Sequence, residues 1–126
     1  MTKLVHPELS YKIMGILFAI HNELGPNCNE KHYQRSIRNK LLKEGIQHKE
    51  QVKVGIKRPA YIGTYYLDFV IEEKIILEIK ATPRFSRNNI LQVLGYLRET
   101  GLELGILANF SRKEVIYKRI LRGFNS

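Results

Sequence analysis

The chain has 126 residues, a length that suits one domain, 1–126, and leaves little room for a second core. At 44% hydrophobic and 26% charged residues it cannot be a disordered, fibrous or disulfide-stapled chain. Twenty-one Lys and Arg against twelve Asp and Glu leave a formal charge of +9, which predicts a polyanionic partner bound through counterion release and therefore sensitive to salt. Leu9, Ile13, Ile16, Leu17, Ile20 and Leu24 recur at helical spacing after Pro7, and Gly25-Pro26 stops this first helix. Its apolar run from Ile13 to Ile20 is far shorter than the roughly 18 residues that cross a bilayer, and no small-x-small cleavage site follows it. Neither a membrane span nor a secretory leader is expected. A second helix, over residues 28 to 44, is capped by Asn27 or Asn29, buries Tyr33, Ile37 and Leu41 along one face, and ends at Gly45.

Beyond Gly45 the period changes from helical to two. Val52, Val54 and Ile56 alternate with polar neighbours as a half-buried strand does. Tyr65 to Ile71 and Lys74 to Lys80, rich in aromatic and β-branched residues, form a hairpin around Glu72, Glu73 and Lys74. Ser86 caps a third helix that buries Ile90, Leu91, Leu94 and Leu97 and stops at Gly101. Leu104 to Asn109 is a further strand. The tail from Val115 to Leu121 alternates like a strand, yet Lys118, Arg119 and Arg122 also suit a basic helix, and the pattern leaves its type open. Helix, helix, strand, strand, strand, helix, strand predicts an α/β domain, a mixed sheet with helices packed on it.

Cys28 is the only cysteine, so no intrachain disulfide and no cysteine zinc site can form, and a reducing cytoplasm is the expected compartment. His6, His21, His32 and His48 lack metal-ligand spacing. Nothing resembles a phosphate-cradling glycine loop or a nucleophile elbow.

The acids within the hairpin are harder to explain as structure. Asp68 falls mid-strand, where Asp is disfavoured, and strict alternation puts it on the pleat face of Tyr66 and Val70. Glu78 interrupts the apolar run Ile75-Ile76-Leu77 and Ile79, and Lys80 shares its face. Opposed residues of an antiparallel pair share a face, so Asp68 meets Glu78 only if the loop has an odd number of residues. A three-residue loop, 72 to 74, sets the two acids directly opposite each other, whereas a two-residue loop puts them on opposite faces. Two unit charges about 4 Å apart repel by about 4 kcal/mol at an effective dielectric near 20, more than one lysine offsets. A hard divalent cation, Mg²⁺ or Mn²⁺, is the natural neutraliser, because it takes one or two carboxylates together with waters and a substrate phosphate. Such a cation polarises a phosphoryl group and lowers the pKa of a bound water, while Lys80 orients that water or holds developing charge. The chemistry this predicts is phosphodiester cleavage.

Asp68, nine residues, then Glu78-Ile79-Lys80 resembles the D-xn-E-x-K core of the PD-(D/E)xK nuclease superfamily. With Leu24-Gly25-Pro26, Glu30-Lys31-His32-Tyr33, Tyr65-x-x-Asp68, Gln92 to Leu97 and Gly101 to Phe110, residues 9 to 122 resemble the GxxExxY family in particular. The resemblance implies a restriction-endonuclease-like mixed sheet flanked by helices and a Mg²⁺-dependent or Mn²⁺-dependent nuclease acting on nucleic acid, DNA rather than RNA. It adds Glu30 to the metal site formed by Asp68 and Glu78, and Gln92 as an assisting residue. The family's first motif glycine falls at Asn27, which puts the local loop geometry in question.

Each residue also has a plainer reading. Asn27-Cys28-Asn29-Glu30 spells a capping box that occupies Glu30. Asp68 can cap a turn, and Glu78 with Lys80 can be a solvated ion pair. Gln92 and Tyr96, one helical turn apart, can be packing residues. Arg84, Arg87, Tyr96, Lys113, Lys118 and Arg119 are the expected nucleic-acid contacts, the basic ones grouped with Arg122 near the third helix and the tail, and a solvated surface is the alternative for them. Tyr61, Tyr65 and Tyr66 can stack on bases or pack on neighbours. Two other functions compete with a nuclease: a non-cleaving nucleic-acid-binding module of the same fold, and a basic surface for an acidic protein. A homo-oligomer is compatible with every one of these readings.

Overall fold

The structure, a computed structural model, describes residues 5–57 and 62–123. Helix α1 spans Pro7–Leu24 and α2 spans Glu30–Lys43. They are followed by strands β1 (His48–Ile56), β2 (Gly63–Ile71) and β3 (Ile75–Lys80), helix α3 (Arg87–Thr100), and strands β4 (Leu104–Phe110) and β5 (Val115–Leu121). Proline at the first helical position starts α1, and the Gly25 N–H, donating to the His21 carbonyl, closes it. Asn29, not Asn27, caps α2: its side chain accepts from the His32 N–H at 3.1 Å and its own N–H donates to His32 Nδ1 at 3.2 Å. Ser86 and Asn89 form the equivalent box at α3, which Gly101 ends in the left-handed conformation.

The five strands lie in the order β1-β2-β3-β4-β5, with β3 and β4 parallel and every other pair antiparallel. The β3–β4 crossover passes through α3, as a parallel connection requires. Both faces of the sheet are covered. One core joins Ile13, Leu17 and Ile20 of α1 and Tyr33, Ile37 and Leu41 of α2 to Phe69, Leu77, Ile79 and Ile106. The other joins Val93, Leu94, Tyr96 and Leu97 of α3 to Val54, Ile56, Leu67, Ile76 and Leu107. Burial on both sides is why β3 and β4 read as continuous apolar runs and not as alternating strands.

The tail resolves as strand β5. Ser111 accepts the Glu114 N–H at its hydroxyl and gives its own N–H to the Glu114 carbonyl, a turn that returns the chain antiparallel to β4. Strand β1 begins four residues before Val52, because the polar stretch from His48 pairs with Ile71, Val70 and Phe69.

Helix α3 crosses β4 at Gly105, where a Cβ would stand 2.6 Å from Val93 Cγ1. A β-branched neighbour held between helix and sheet has little room to yield, so Gly105→Ala is expected to cost about 1–3 kcal/mol. The check is a lowered urea midpoint with an unchanged m-value; an unaltered midpoint means that α3 rides higher above β4 than this contact requires.

Candidate active site

The turn between β2 and β3 sets the geometry of the site. Lys74 N–H donates to the Ile71 carbonyl at 2.9 Å, and Glu72 and Glu73 take φ of 54° and 55° without a glycine. Two bonds to Gln47 hold this left-handed pair: Glu72 N–H to the Gln47 carbonyl at 2.8 Å, and Gln47 N–H to Glu72 Oε1 at 3.1 Å. The resulting three-residue loop pairs Ile71 with Ile75 and Phe69 with Leu77. Asp68 and Glu78 are next in that register.

There the ladder parts. Asp68 N–H donates to Glu78 Oε1 at 2.7 Å, and Ile79 N–H donates to Asp68 Oδ2 at 2.8 Å. Each carboxylate therefore replaces a main-chain acceptor of the opposite strand and is locked in place by doing so. The β1 side is interrupted as well: Gln51, the residue facing Asp68, adopts φ 51°, and the pairing resumes at Val52 with Leu67. Both strands change faces across this point. Glu50 reaches Arg38 of α2 at 2.6 Å while Val52 packs toward α3; Phe69 lies in the α1–α2 core while Leu67 lies in the α3 core. Strict alternation, which places Asp68 beside Val70, is thus broken. Val70 packs with the α3 core, whereas Asp68 Oδ1 accepts from Gln34 Nε2 of α2 at 2.9 Å and more weakly from Gln51 Nε2 at 3.4 Å.

Burial governs the electrostatics. It raises the Glu78 carboxyl to about 8, with the Asp68 charge adding to the rise, and the Asp68 N–H and Lys80 opposing it. Asp68 is also raised, chiefly by burial, against the Ile79 N–H and Lys80. Glu30 stands near enough for its charge to raise both. The capping box of α2 closes on His32 and leaves the Glu30 carboxylate at the first helical position uninvolved. Lys80 is half-buried and forms no ion pair among the described residues, so its charge acts on the two acids without direct contact. On α3, Gln92 is half-buried.

The expected nucleic-acid contacts do not form one surface. Tyr96 is buried and packs edge-on against Tyr65, with ring centroids 6.0 Å apart, so neither ring face of Tyr96 is free for a base. The Glu78 and Asp68 charges add to the burial that raises its pKa. Arg84 and Arg87 are exposed just beyond Lys80, Lys113 sits in the β4–β5 turn, and Lys118 and Arg119 are on edge strand β5. The pairing of Lys118 with Leu107 and of Arg119 with Ile106 directs these two neighbours to opposite faces, and Arg119 donates to the Val5 carbonyl at 2.7 Å. Arg122 follows β5. The expected single cluster is therefore divided, with Lys118 and Arg119 on opposite faces of the sheet. Tyr66 is exposed, and Tyr61 lies outside the described residues.

Several residues at the site were not singled out by the sequence. Gln34 and Gln51 both bond Asp68. Asn109, fully buried on β4, binds both sides of Thr82, accepting its N–H at 2.9 Å and donating to its carbonyl at 2.7 Å. This fixes the loop that follows Lys80; a polar residue inside the apolar run of β4 was the available hint. A cleft of about 590 Å³ opens beside Asp68, lined by Glu30, Lys31, Gln34, Arg35, Arg38 and Gln51. A groove of about 450 Å³ near Leu42, Ile46 and Glu73 is separate and is lined by none of Glu30, Asp68 and Glu78. Oxygen donors of this kind suit a hard divalent cation. Among the described residues no three His, Cys, Asp or Glu side chains are drawn close enough to enclose an ion by themselves. Asp68 and Glu78 are the two carboxylates that would hold such an ion, and water or substrate would have to supply its remaining ligands.

A mixed five-stranded sheet with helices on both faces and an acid pair where two strands part defines a restriction-endonuclease-like nuclease core. A family model described as the PD-(D/E)XK nuclease superfamily matches residues 7–120, and the chain belongs to that superfamily. Its nucleases act on nucleic acid and generally use divalent metal ions. Among solved structures the chain is similar to the crystal structure of SSO0001, with a TM-score of 0.53 and 16% identity over 95% of this chain and 59% of that one. It is also similar to an alkaline exonuclease, LHK-Exo, from Laribacter hongkongensis, with a TM-score of 0.50 and 18% identity over 97% of this chain and 72% of that one. The chain spans less than two thirds of the first of these, and at such identities the likeness is one of fold. No curated protein matches the chain. Among the described residues no helix is long and apolar enough to cross a membrane.

Proposed function

We propose that the chain is a Mg²⁺-dependent or Mn²⁺-dependent nuclease of the GxxExxY type that hydrolyses phosphodiester bonds, in DNA rather than RNA. The observation that carries this reading is the reciprocal lock of half-buried Asp68, which lines the cleft, and buried Glu78 behind it, two carboxyls with raised pKa held on opposite strands. Proteins rarely gather such acids for stability, since removing charges from water is costly unless something neutralises them. Asp68 and Glu78, with Glu30 at the rim, would hold the cation. When bound, it supplies a polarised phosphoryl group and an activated water. Lys80 projects from the same strand as Glu78 and orients the attacking water or steadies charge on the phosphate. Gln92 assists from α3, and Arg84, Arg87 and Lys113 bear on the nucleic-acid backbone near the end of β3.

At the position of the family's first motif glycine the backbone makes no demand that only glycine meets. Asn27 is not among the residues with positive φ; the positive φ in this loop belongs to Gly25, at 71°. Activity is tested by incubating single-stranded and plasmid DNA and RNA with Mg²⁺ or Mn²⁺, and cleavage lost in Glu78→Ala and Lys80→Ala is the expected result. A parallel measurement needs no substrate: either ion is expected to raise Tm of the wild type by several degrees but not that of Asp68→Asn, because a ligand bound only to the native state stabilises it. Nucleic-acid binding without cleavage under any metal would make the chain a binding module, and no binding at all would leave a protein partner for its basic surface.

A further inference from the structure

The face that α2 turns to the cleft carries two rows of side chains. Glu30, Gln34 and Arg38, spaced four residues apart, form the inner row, and the last two are committed: Gln34 to Asp68 at 2.9 Å and Arg38 to Glu50 at 2.6 Å. Lys31 and Arg35, each one residue further on, form an outer row along the same cleft. Both are exposed, and neither forms an ion pair among the described residues. Their backbone positions are about 6 Å apart along the helix axis.

We infer that Lys31 and Arg35 form a clamp for two consecutive backbone phosphates of the nucleic-acid strand lying beside the scissile bond; this rests on the nuclease reading above. Glu30, Asp68 and Glu78 give the site a field that repels a polyanion, so a strand can enter only where cations on the rim offset that repulsion. Arg38 cannot do so, since its guanidinium is already neutralised by Glu50. Among the described residues Lys31 and Arg35 are the cations without an ion pair that line the same cleft as Asp68, and the buried face of α2, Tyr33, Ile37 and Leu41, together with the Gln34–Asp68 bond keeps them there. Contacts of this kind position the strand without reading its sequence.

The clamp is tested by equilibrium binding of labelled single-stranded and duplex oligonucleotides to the full chain, with Ca²⁺ replacing Mg²⁺ so that binding is read apart from cleavage. In Lys31→Ala/Arg35→Ala the slope of log affinity against log salt is expected to be shallower by about 1.4 for single strands, or about 1.8 for duplex, the contribution of two phosphate contacts. Lys31→Arg/Arg35→Lys should restore the slope. Lys12→Ala/Lys43→Ala, in the groove between α1 and α2, should leave it unchanged. An unaltered slope in the first variant overturns the clamp even if the protein cleaves DNA. The expected slopes in a protein that never cleaves keep the clamp and overturn the nuclease reading. Absence of binding by the wild type at about 50 mM salt overturns both.

Discussion

Replacing Glu78 with glutamine is expected to lower cleavage on the order of 10³-fold and, in the same molecule, to raise stability at neutral pH. The amide retains an acceptor for the Asp68 N–H, so the strand junction survives the substitution. What disappears is a buried acid whose pKa lies near 8 in the folded chain, against an ordinary 4.5. Between those two values the unfolded chain releases the proton while the native chain keeps it, so the native state binds more protons and stability falls as pH rises. Stability is therefore intact below about 4.5 and is lost progressively up to about 8. The loss is on the order of a few kcal/mol, since holding one proton against each tenfold fall in its concentration costs about 1.4 kcal/mol and the two carboxyls titrate together. In metal-free buffer the wild type should lose Tm between pH 5 and pH 8, Glu78→Gln should lose much less, and at pH 8 the variant should melt about 5–10 °C higher. Equal melting of the two proteins across this range would mean that the acid is solvated, and full cleavage by the variant would remove Glu78 from the chemistry.

Truncating Tyr33 should have the largest effect on the fold. The side chain is fully buried, its ring stacks on Phe110 with centroids 4.1 Å apart, and its hydroxyl donates to the Gly25 carbonyl at 2.6 Å. Burial raises its pKa, so the hydroxyl remains a donor. Tyr33→Ala is expected to cost about 3–5 kcal/mol, a large share of the roughly 5–15 kcal/mol available to a domain. Tyr33→Phe keeps the stack and loses only the clip on the α1–α2 loop, about 1–2 kcal/mol. Denaturant titration measures both. Cleavage per folded molecule should survive in Tyr33→Phe; loss of activity without loss of stability would give the hydroxyl a part in the reaction.

The contrast between Tyr33 and Glu30 shows what could be read from residue order. Helix limits were visible because Pro7, Ser86, Gly25 and Gly101 act on their own backbone, and the meeting of Asp68 with Glu78 was one of the outcomes that counting loop residues left open, the structure choosing the three-residue loop. Gln34 and Gln51 were not visible. Their role depends on both strands changing faces at Gln51 and Asp68, and a left-handed glutamine leaves no mark in a two-residue period. The same reversal made the pleat face of Asp68 unreadable. The capping box fell on His32 because its imidazole can accept a backbone N–H much as a glutamate carboxylate does. Scattering of the basic residues was hidden as well, since Lys118 and Arg119 are adjacent in sequence and opposite in space.

Asp68 and Glu78 stand on one hairpin, joined by a three-residue turn that sets their register and that Gln47, just before β1, holds in place. Their convergence is thus a short-range event in chain space, whereas Glu30, Gln34 and Gln92 arrive through distant helix docking. Mutational drift in those helices can alter what lines the cleft while leaving the two acids aligned, so the surroundings of the pair and the pair itself are separable in this architecture.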